Sequence, residues 1–127
     1  MTARALVSVI VCSFNRSADL RLSLEAIFAS THRPLEVIVV DNASTDDAVA
    51  VAASFPEVRL LRNADNKGFA EANDQALELS NGSYVALVNN DAVLEPTWIA
   101  SLVDLLEDTP EAAAAGSKCW FWNDENP

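Results

Sequence analysis

The chain alternates short runs of apolar residues with longer segments in which apolar residues recur every three or four positions. The runs, which predict β-strands, lie at residues 7–12, 35–40, 58–61 and 84–88. The segments between them predict amphipathic α-helices, which follow Ser17, span residues 48–55 and 69–79, and begin again at Pro96. This alternation is typical of an α/β domain with a mostly parallel sheet and helices on both of its faces.

Details of these elements follow from individual residues. The run at 84–88 is largely apolar, which predicts a strand buried on both faces. Ser17 is placed to cap the first helix, and Ser44 with Asp47 three residues later fits a capping box before the second helix. Residues 112–122 could form a fifth strand.

Burial can be predicted for several further side chains. Phe69, Ala72 and Ala76 fall on one face of the third helix, which predicts that they pack on the sheet. His32 lies between helix-breaking residues and has no second His or Cys at ligand spacing, so we expect it at the surface. Cys12 ends the first predicted strand. We expect it to be buried as a small apolar residue rather than to be reactive.

Composition limits the classes of partner. The 127 residues are about one domain long, and the formal net charge of −11 leaves no basic stripe that could neutralise nucleic acid. No apolar run is long enough for a transmembrane helix. Cys12 and Cys119 have no metal-ligand spacing and make no disulfide framework, so we expect both to be reduced in a cytoplasmic protein.

Polar residues follow the predicted strands directly. They are Ser13, Phe14 and Asn15 after the first strand, Asp41 and Asn42 after the second, Asn90 and Asp91 after the fourth, and Lys67 with Gly68 before the third helix. Because parallel strands end at one edge of a sheet, we expect these groups to meet at a ligand crevice. The alternative is that they are turn residues, since Asn and Asp bond to their own backbone.

These groups suit a nucleotide. An aromatic ring such as Phe14 can lie against a base, and a carboxylate such as Asp41 can accept a hydrogen bond from a base or ribose. Lys67 and the amides of the following helix can face phosphate. Asp91 can hold Mg²⁺ or Mn²⁺ at a diphosphate, because these ions prefer oxygen and often take only one or two protein ligands.

At these positions the chain resembles the family 2 glycosyltransferases of GT-A fold, particularly their rhamnosyltransferase-like branch. The motifs that carry the resemblance are residues 7–11 with Phe14 and Asn15, residues 39–46, residues 66–69 with Asn73, and residues 89–91. The resemblance implies that Asp41 reads the base with Phe14 against it, and that Asp91 binds the metal. Asn90 stands where the family commonly has a second acid, and its amide can still bond a ribose hydroxyl.

The resemblance further implies a reaction and a domain organisation. A sugar would pass, with inversion, from a nucleotide-diphosphate sugar to a hydroxyl of a saccharide or lipid-linked acceptor, at the inner face of the membrane. Residues 1–127 would form a single, truncated nucleotide-sugar-binding portion of the GT-A domain, with the general base beyond Pro127. The alternative is a non-catalytic nucleotide-binding or interaction module of the same fold. In a truncated GT-A portion, exposed aromatic residues 120–122 would favour a homo-oligomer.

Overall fold

The computed structural model describes residues 4–120 and shows a parallel sheet with helices on both faces. The elements in chain order are β1 (Val7–Ser13), α1 (Ser17–Phe28), β2 (Leu35–Asn42), α2 (Ala48–Ala53), β3 (Val58–Asn63), α3 (Gly68–Leu79), β4 (Tyr84–Asn89) and α4 (Trp98–Asp108). The strands pair in parallel in the order β3-β2-β1-β4. The predicted α/β class is therefore confirmed.

Strand register brings the polar strand ends to one edge of the sheet. Ser13 at the end of β1 pairs with Asp41 at the end of β2, and Asp41 pairs on its other side with Arg62. On the opposite side of β1, Cys12 pairs with Asn89, the last residue of β4. Because all strands run in the same direction, the loops after β1, β2 and β4 are neighbours.

Two apolar layers enclose the sheet. One layer combines β1 and β2 with α1, α2 and α4, and its buried members include Val9, Leu24 and Ile99. The other layer is smaller and places Ala72 and Ala76 of α3 against the opposite face of β1 and β2. Alternate residues of β1 and β2 thus face different helices, as the period of two in a β-strand requires.

The prediction that β4 is buried on both faces is wrong. Val85 is 39% exposed and Leu87 is 52% exposed, whereas Val88, which points to the other face, is buried. The reason is position, because β4 lies at the edge of the described sheet while α3 packs on β1 and β2. The apolar composition of the strand does not distinguish these two environments.

The predicted helix caps are also wrong. Ser17 is the first residue of α1, and its N–H donates to Oδ2 of Asp46 at 2.9 Å. Ser44 does not cap α2, which begins at Ala48; the Ala48 N–H donates to Oδ1 of Asp46, also at 2.9 Å. One aspartate in the β2–α2 loop therefore serves the starts of two helices, which local sequence motifs do not reveal.

Other burial predictions give mixed results. His32 is buried, contrary to expectation, because its Nε2 donates to the carbonyl oxygen of Ala5 at 2.8 Å; its Nδ1 has no hydrogen-bond partner among the described residues. Phe69 is 60% exposed rather than packed on the sheet, while Ala72 and Ala76 are buried as predicted. Cys12 is only partly buried.

The segment after α4 differs from the predicted fifth strand. Residues 112–120 contain no strand, and the remainder of that prediction lies outside the described residues. Of the three aromatic residues expected to promote self-association, Trp120 is 74% exposed, and the other two also lie outside the described part. Among residues 4–120, no helix is both long and apolar enough to span a bilayer.

At the amino-terminal edge of the sheet, a carboxylate joins β1, β2 and the α3–β4 connection. Oε1 of Glu36 accepts hydrogen bonds from the Ser8 hydroxyl and from the Asn81 N–H, and the Ser8 Oγ accepts one from the Gly82 N–H at 2.8 Å. Burial raises the pKa of Glu36, but the hydrogen bonds from Asn81, Ser8 and Gly82 outweigh it and leave the pKa below its ordinary value.

Gly82 tests how tightly this connection packs. A Cβ at Gly82 would lie 2.6 Å from the Ser8 backbone nitrogen and 2.7 Å from the Tyr84 carbonyl oxygen, and backbone atoms cannot yield. We expect Gly82→Ala to lower the free energy of unfolding by about 1–3 kcal/mol. Urea denaturation measures this, with Gly116→Ala as the matched control because a Cβ there meets nothing within 4 Å. Equal midpoints for the two variants would contradict the close approach.

Glu36 should make stability depend on pH in acid. Since its folded pKa lies below the ordinary 4.5, its contribution is complete above pH 4.5 and disappears as pH falls through the lowered value. We expect wild type to be more stable than Glu36→Gln at pH 7 and the difference to shrink below pH 4.5. Denaturation curves of both proteins between pH 7 and 3 measure it. A difference independent of pH would mean that the carboxylate charge contributes nothing.

Candidate functional site

The β1–α1 turn is held against the β2–α2 loop by the side chain of Asn15. The side-chain Oδ1 of Asn15 accepts the Thr45 N–H at 2.8 Å and the Asp46 N–H at 3.3 Å, and the backbone N–H of Asn15 donates to the Ser44 hydroxyl at 2.8 Å. Asn15 and Arg16 both have positive φ angles, 55° and 59°, which side-chain-bearing residues seldom adopt. Asn15 therefore organises the edge of the candidate site.

Asp41 lies at the end of β2 and is buried, with 3% exposure. Its Oδ1 accepts the Ser44 hydroxyl at 2.6 Å and its Oδ2 accepts the Ser44 N–H at 3.1 Å. Each carboxylate oxygen has two lone pairs, so Asp41 keeps capacity for further donors. The neighbouring Ser13 is also buried, and in the described part of the chain its Oγ has no hydrogen-bond partner.

Asn42 fixes the loop that precedes α3. Its Nδ2 donates to the Gly68 carbonyl at 3.2 Å, and its Oδ1 accepts the Lys67 N–H at 3.3 Å and the Asn63 amide at 2.9 Å. Gly68 has a φ of 82°, a conformation that glycine adopts without steric cost. The Lys67 ammonium lies 3.5 Å from Asp65. This loop is therefore tied to the end of β2.

Phe14 and Cys12 flank the end of β1. Phe14 is 47% exposed, so its ring is accessible to a ligand. Burial raises the pKa of the Cys12 thiol to about 11, which keeps it protonated at neutral pH. The thiol lies 4.0 Å from the Phe69 carbonyl, and the Asn73 amide donates to the same carbonyl at 3.0 Å. Asn73 is thus satisfied within α3, and Cys12 is unsuited to nucleophilic chemistry.

Asp91 and Asn90 follow β4 and approach the β1–α1 turn. The Asp91 side chain is 43% exposed, and its Oδ2 lies 3.3 Å from Nη1 of Arg16. Nε of Arg16 also donates to Oδ2 of Asp19 at 2.8 Å. The Asn90 amide lies 3.5 Å from the Asn15 carbonyl. Sequence reasoning missed Arg16, although its position directly after Asn15 and three residues before an acid was a usable signal.

The structure brings together most of the residues named from the sequence. Hydrogen bonds or strand register link the ends of β1, β2 and β4 with the loop before α3, through Ser13, Asn15, Asp41, Lys67, Gly68, Asn90 and Asp91. Phe14 lies in the same turn and contributes an apolar ring. These residues therefore lie along one connected edge of the sheet, and their role in ligand binding stays a prediction.

The side chains at this edge can be compared with the ligands that a divalent metal ion needs. Residues 4–120 contain no cluster of three or more His, Cys, Asp or Glu side chains that could hold a metal ion. Asp91 instead offers one accessible carboxylate. Mg²⁺ and Mn²⁺ commonly bind through one or two carboxylates together with water and substrate phosphates. The residues present therefore fit a metal shared with a ligand, and not a site built wholly by protein.

Comparisons with known proteins agree with this arrangement. Residues 8–122 match the sequence profile of "Glycosyl transferase family 2". The glucosyl-dolichyl phosphate glucuronosyltransferase of Haloferax volcanii is 34% identical over 115 residues, which cover 87% of this chain and 37% of that protein. The hyaluronan synthase of Pasteurella multocida is 35% identical over 109 residues, which cover 80% of this chain and 11% of that protein.

A solved structure shows the same fold. The mannosyltransferase PcManGT of Pyrobaculum calidifontis, in complex with GDP-Man and Mn²⁺, matches with a TM-score of 0.78 and 30% identity over 85% of this chain and 34% of that one. The parallel sheet with helices on both faces is thus the GT-A fold that the sequence motifs implied. The chain spans about a third of the length of the Haloferax protein and of PcManGT, 37% and 34% respectively. Because the family profile covers nearly all of the sequence, the chain belongs to glycosyltransferase family 2.

Proposed function

We propose that residues 1–127 form the nucleotide-sugar-binding portion of an inverting, metal-dependent glycosyltransferase. One observation carries the proposal: two carboxylates, Asp41 and Asp91, stand at the ends of the two strands that flank β1. Neighbouring strands lie about 4.8 Å apart, so these strand ends are separated by about 10 Å. That distance matches a nucleoside diphosphate lying across β1 with its base at one acid and its diphosphate at the other.

The base end of the donor is assigned to β1 and β2. Asp41 is buried and keeps unused acceptor capacity, so it can accept a hydrogen bond from a base N–H. The exposed ring of Phe14 can stack on the base, and Ser13 supplies a buried hydroxyl without a described partner. Asn15 positions this turn through its bonds to the β2–α2 loop. These groups together favour binding of a planar heterocycle.

The diphosphate end is assigned to the β4 turn and the loop before α3. Asp91 would hold Mg²⁺ or Mn²⁺, and the Asn90 amide can bond a ribose hydroxyl. The bound metal would stabilise the departing diphosphate. Lys67 brings a cation to this edge, and α3 begins at Gly68, whose own N–H donates to Oδ1 of Asn66 at 2.9 Å, so phosphate would face the following amides of the helix N-terminus. A strongly acidic chain needs such cations before it can hold a diphosphate.

The remaining partners are inferred from the relatives. The Haloferax protein is named for a dolichyl phosphate substrate and the Pasteurella protein for hyaluronan, which supports a lipid-linked or saccharide hydroxyl as acceptor. We assign the general base to none of residues 4–120. The free cysteines agree with a cytoplasmic location, and a lipid-linked acceptor would place the reaction at the inner face of the membrane. The rhamnosyltransferase-like branch stays our hypothesis for the subgroup of the family, and it rests on the same motifs that carry the family resemblance.

Asp91 should make nucleotide binding depend on metal. We expect calorimetry with UDP, GDP, ADP and dTDP to give binding of at least one of them with Mn²⁺ or Mg²⁺ and little without. Asp91→Ala should weaken this binding at least tenfold, about 1.4 kcal/mol. Glu57→Ala is the matched control, because this exposed acid precedes β3 at the opposite edge of the sheet.

Equal affinity with and without metal would contradict the assignment of Asp91. Nucleotide-linked sugars, including a rhamnose donor, can then replace the nucleotides in the same titration. Release of nucleoside diphosphate that depends on an added acceptor identifies a transferase. Donor binding with negligible release is the result we expect for this chain, because none of residues 4–120 is assigned as the general base.

Asp41 should determine which base is preferred. We expect Asp41→Asn to compress the differences in affinity among the four nucleoside diphosphates, because an amide can no longer offer two anionic acceptors. The mutant should keep its metal dependence, since Asp41 stands at the far strand end. Thermal unfolding checks that the exchange leaves the Ser44 interaction and the fold in place. An unchanged order and spread of affinities would mean that Asp41 only orders its own loop.

A further inference from the structure

Arg16 connects two carboxylates from different parts of the chain. Its Nη1 lies 3.3 Å from Oδ2 of Asp91 in the turn after β4, and its Nε donates to Oδ2 of Asp19 in the first turn of α1 at 2.8 Å. The guanidinium therefore occupies one side of the carboxylate that the proposed function assigns to the metal. A cation already stands where a second cation is expected.

The backbone of Arg16 is held in place, whereas its side chain is mostly exposed. Its φ and ψ of 59° and 49° are left-handed, and its carbonyl accepts the Leu20 N–H at 3.0 Å. The preceding Asn15 is bonded to Ser44 and Thr45 of the neighbouring loop. In contrast, the Arg16 side chain is 58% exposed. A change of partner at this position therefore needs only a rotation of the side chain.

A divalent ion and a guanidinium compete for Oδ2 of Asp91. Like charges a few ångströms apart repel, so a metal bound at Asp91 favours withdrawal of Nη1 from that oxygen. The Nε bond to Asp19 can keep the guanidinium nearby, where the incoming diphosphate offers new acceptors. Arginine suits that exchange, since its planar set of donors matches phosphate oxygens.

We propose that Arg16 is a positioning residue that competes with the divalent metal for Asp91 in the donor-free protein and turns to the diphosphate when metal and donor bind together. The proposal rests on the proposed function for the identity of the metal and the diphosphate. Its consequence is that metal alone binds weakly. Metal and nucleoside diphosphate bind with positive coupling, because the diphosphate supplies ligands to the metal and accepts the displaced guanidinium.

The first test measures the affinity of the protein for Mn²⁺ without nucleotide. Binding is detected as loss of the free-ion signal in electron paramagnetic resonance. We expect Arg16→Met to bind Mn²⁺ about threefold to fivefold more tightly than wild type, the scale set by a half-exposed ion pair. In the Asp91→Ala background, the same exchange should give no gain. Arg21→Met is the matched control, since it removes an equal charge from an exposed position on α1.

The second test measures UDP and GDP by calorimetry at saturating Mn²⁺. We expect Arg16→Met to bind its preferred nucleotide about tenfold more weakly, because one charge-assisted contact to phosphate is lost. Arg16→Lys should recover part of this loss, since an ammonium binds phosphate as a point charge. Arg21→Met should leave both affinities near their wild-type values.

The proposal requires Arg16→Met to bind Mn²⁺ alone more tightly than wild type and to bind the nucleotide with Mn²⁺ more weakly. An unchanged or weaker affinity of Arg16→Met for Mn²⁺ alone would overturn it. Weakening of both affinities would show instead that Arg16 merely holds the turn in place. Failure of wild type to bind any nucleotide with Mn²⁺ would count against the proposed function, whereas the Mn²⁺ measurement and its Asp91→Ala background would still decide whether Arg16 competes for that carboxylate.

Discussion

Hydrogen bonds between two asparagine side chains and the backbones of neighbouring loops hold the carboxyl-terminal edge of the sheet together. Asn15 satisfies backbone N–H groups of the β2–α2 loop, and Asn42 satisfies the Lys67 N–H and the Gly68 carbonyl before α3. Loops that lie against one another would otherwise bury unpaired polar groups at a cost of about 1–3 kcal/mol each. An amide side chain has both donors and an acceptor, so it can pair with either a backbone carbonyl or a backbone N–H of a neighbouring loop. The positions of Phe14, Asp41 and Lys67 depend on these bonds.

The strands and their order along the chain could be predicted because they depend on local pattern. Residues 7–12 were predicted and Val7–Ser13 is observed, and the acids at the ends of β2 and β4 were identified from their place after apolar runs. Lateral position in the sheet could not be predicted in the same way. β4 reads as a buried strand, yet Leu87 faces outward because nothing in the described residues covers that face.

Contacts distant in sequence account for the other differences. Asp46 provides acceptors to α1 and α2 from one loop, whereas a capping motif considers only a few neighbouring residues. His32 can be buried because the carbonyl oxygen of Ala5, 27 positions earlier, accepts a hydrogen bond from its Nε2. Arg16 belongs to the candidate site through an acid 75 positions later. In each case the decisive partner is not identified by a local motif, and the spacing that indicates the Arg16–Asp19 pair does not indicate Asp91.

The left-handed residues at this edge have a consequence for how the protein moves. Asn15, Arg16 and Ala43 all have positive φ without being glycine, and each such conformation costs on the order of 1–3 kcal/mol. Only the hydrogen bonds between the loops offset that cost, and several of them are exposed to solvent. The opposite edge, built around Ser8 and Gly82, has no such strain among its described residues. Local opening therefore begins where ligands are expected, and amide hydrogen exchange there would report on the loops long before the sheet itself unfolds.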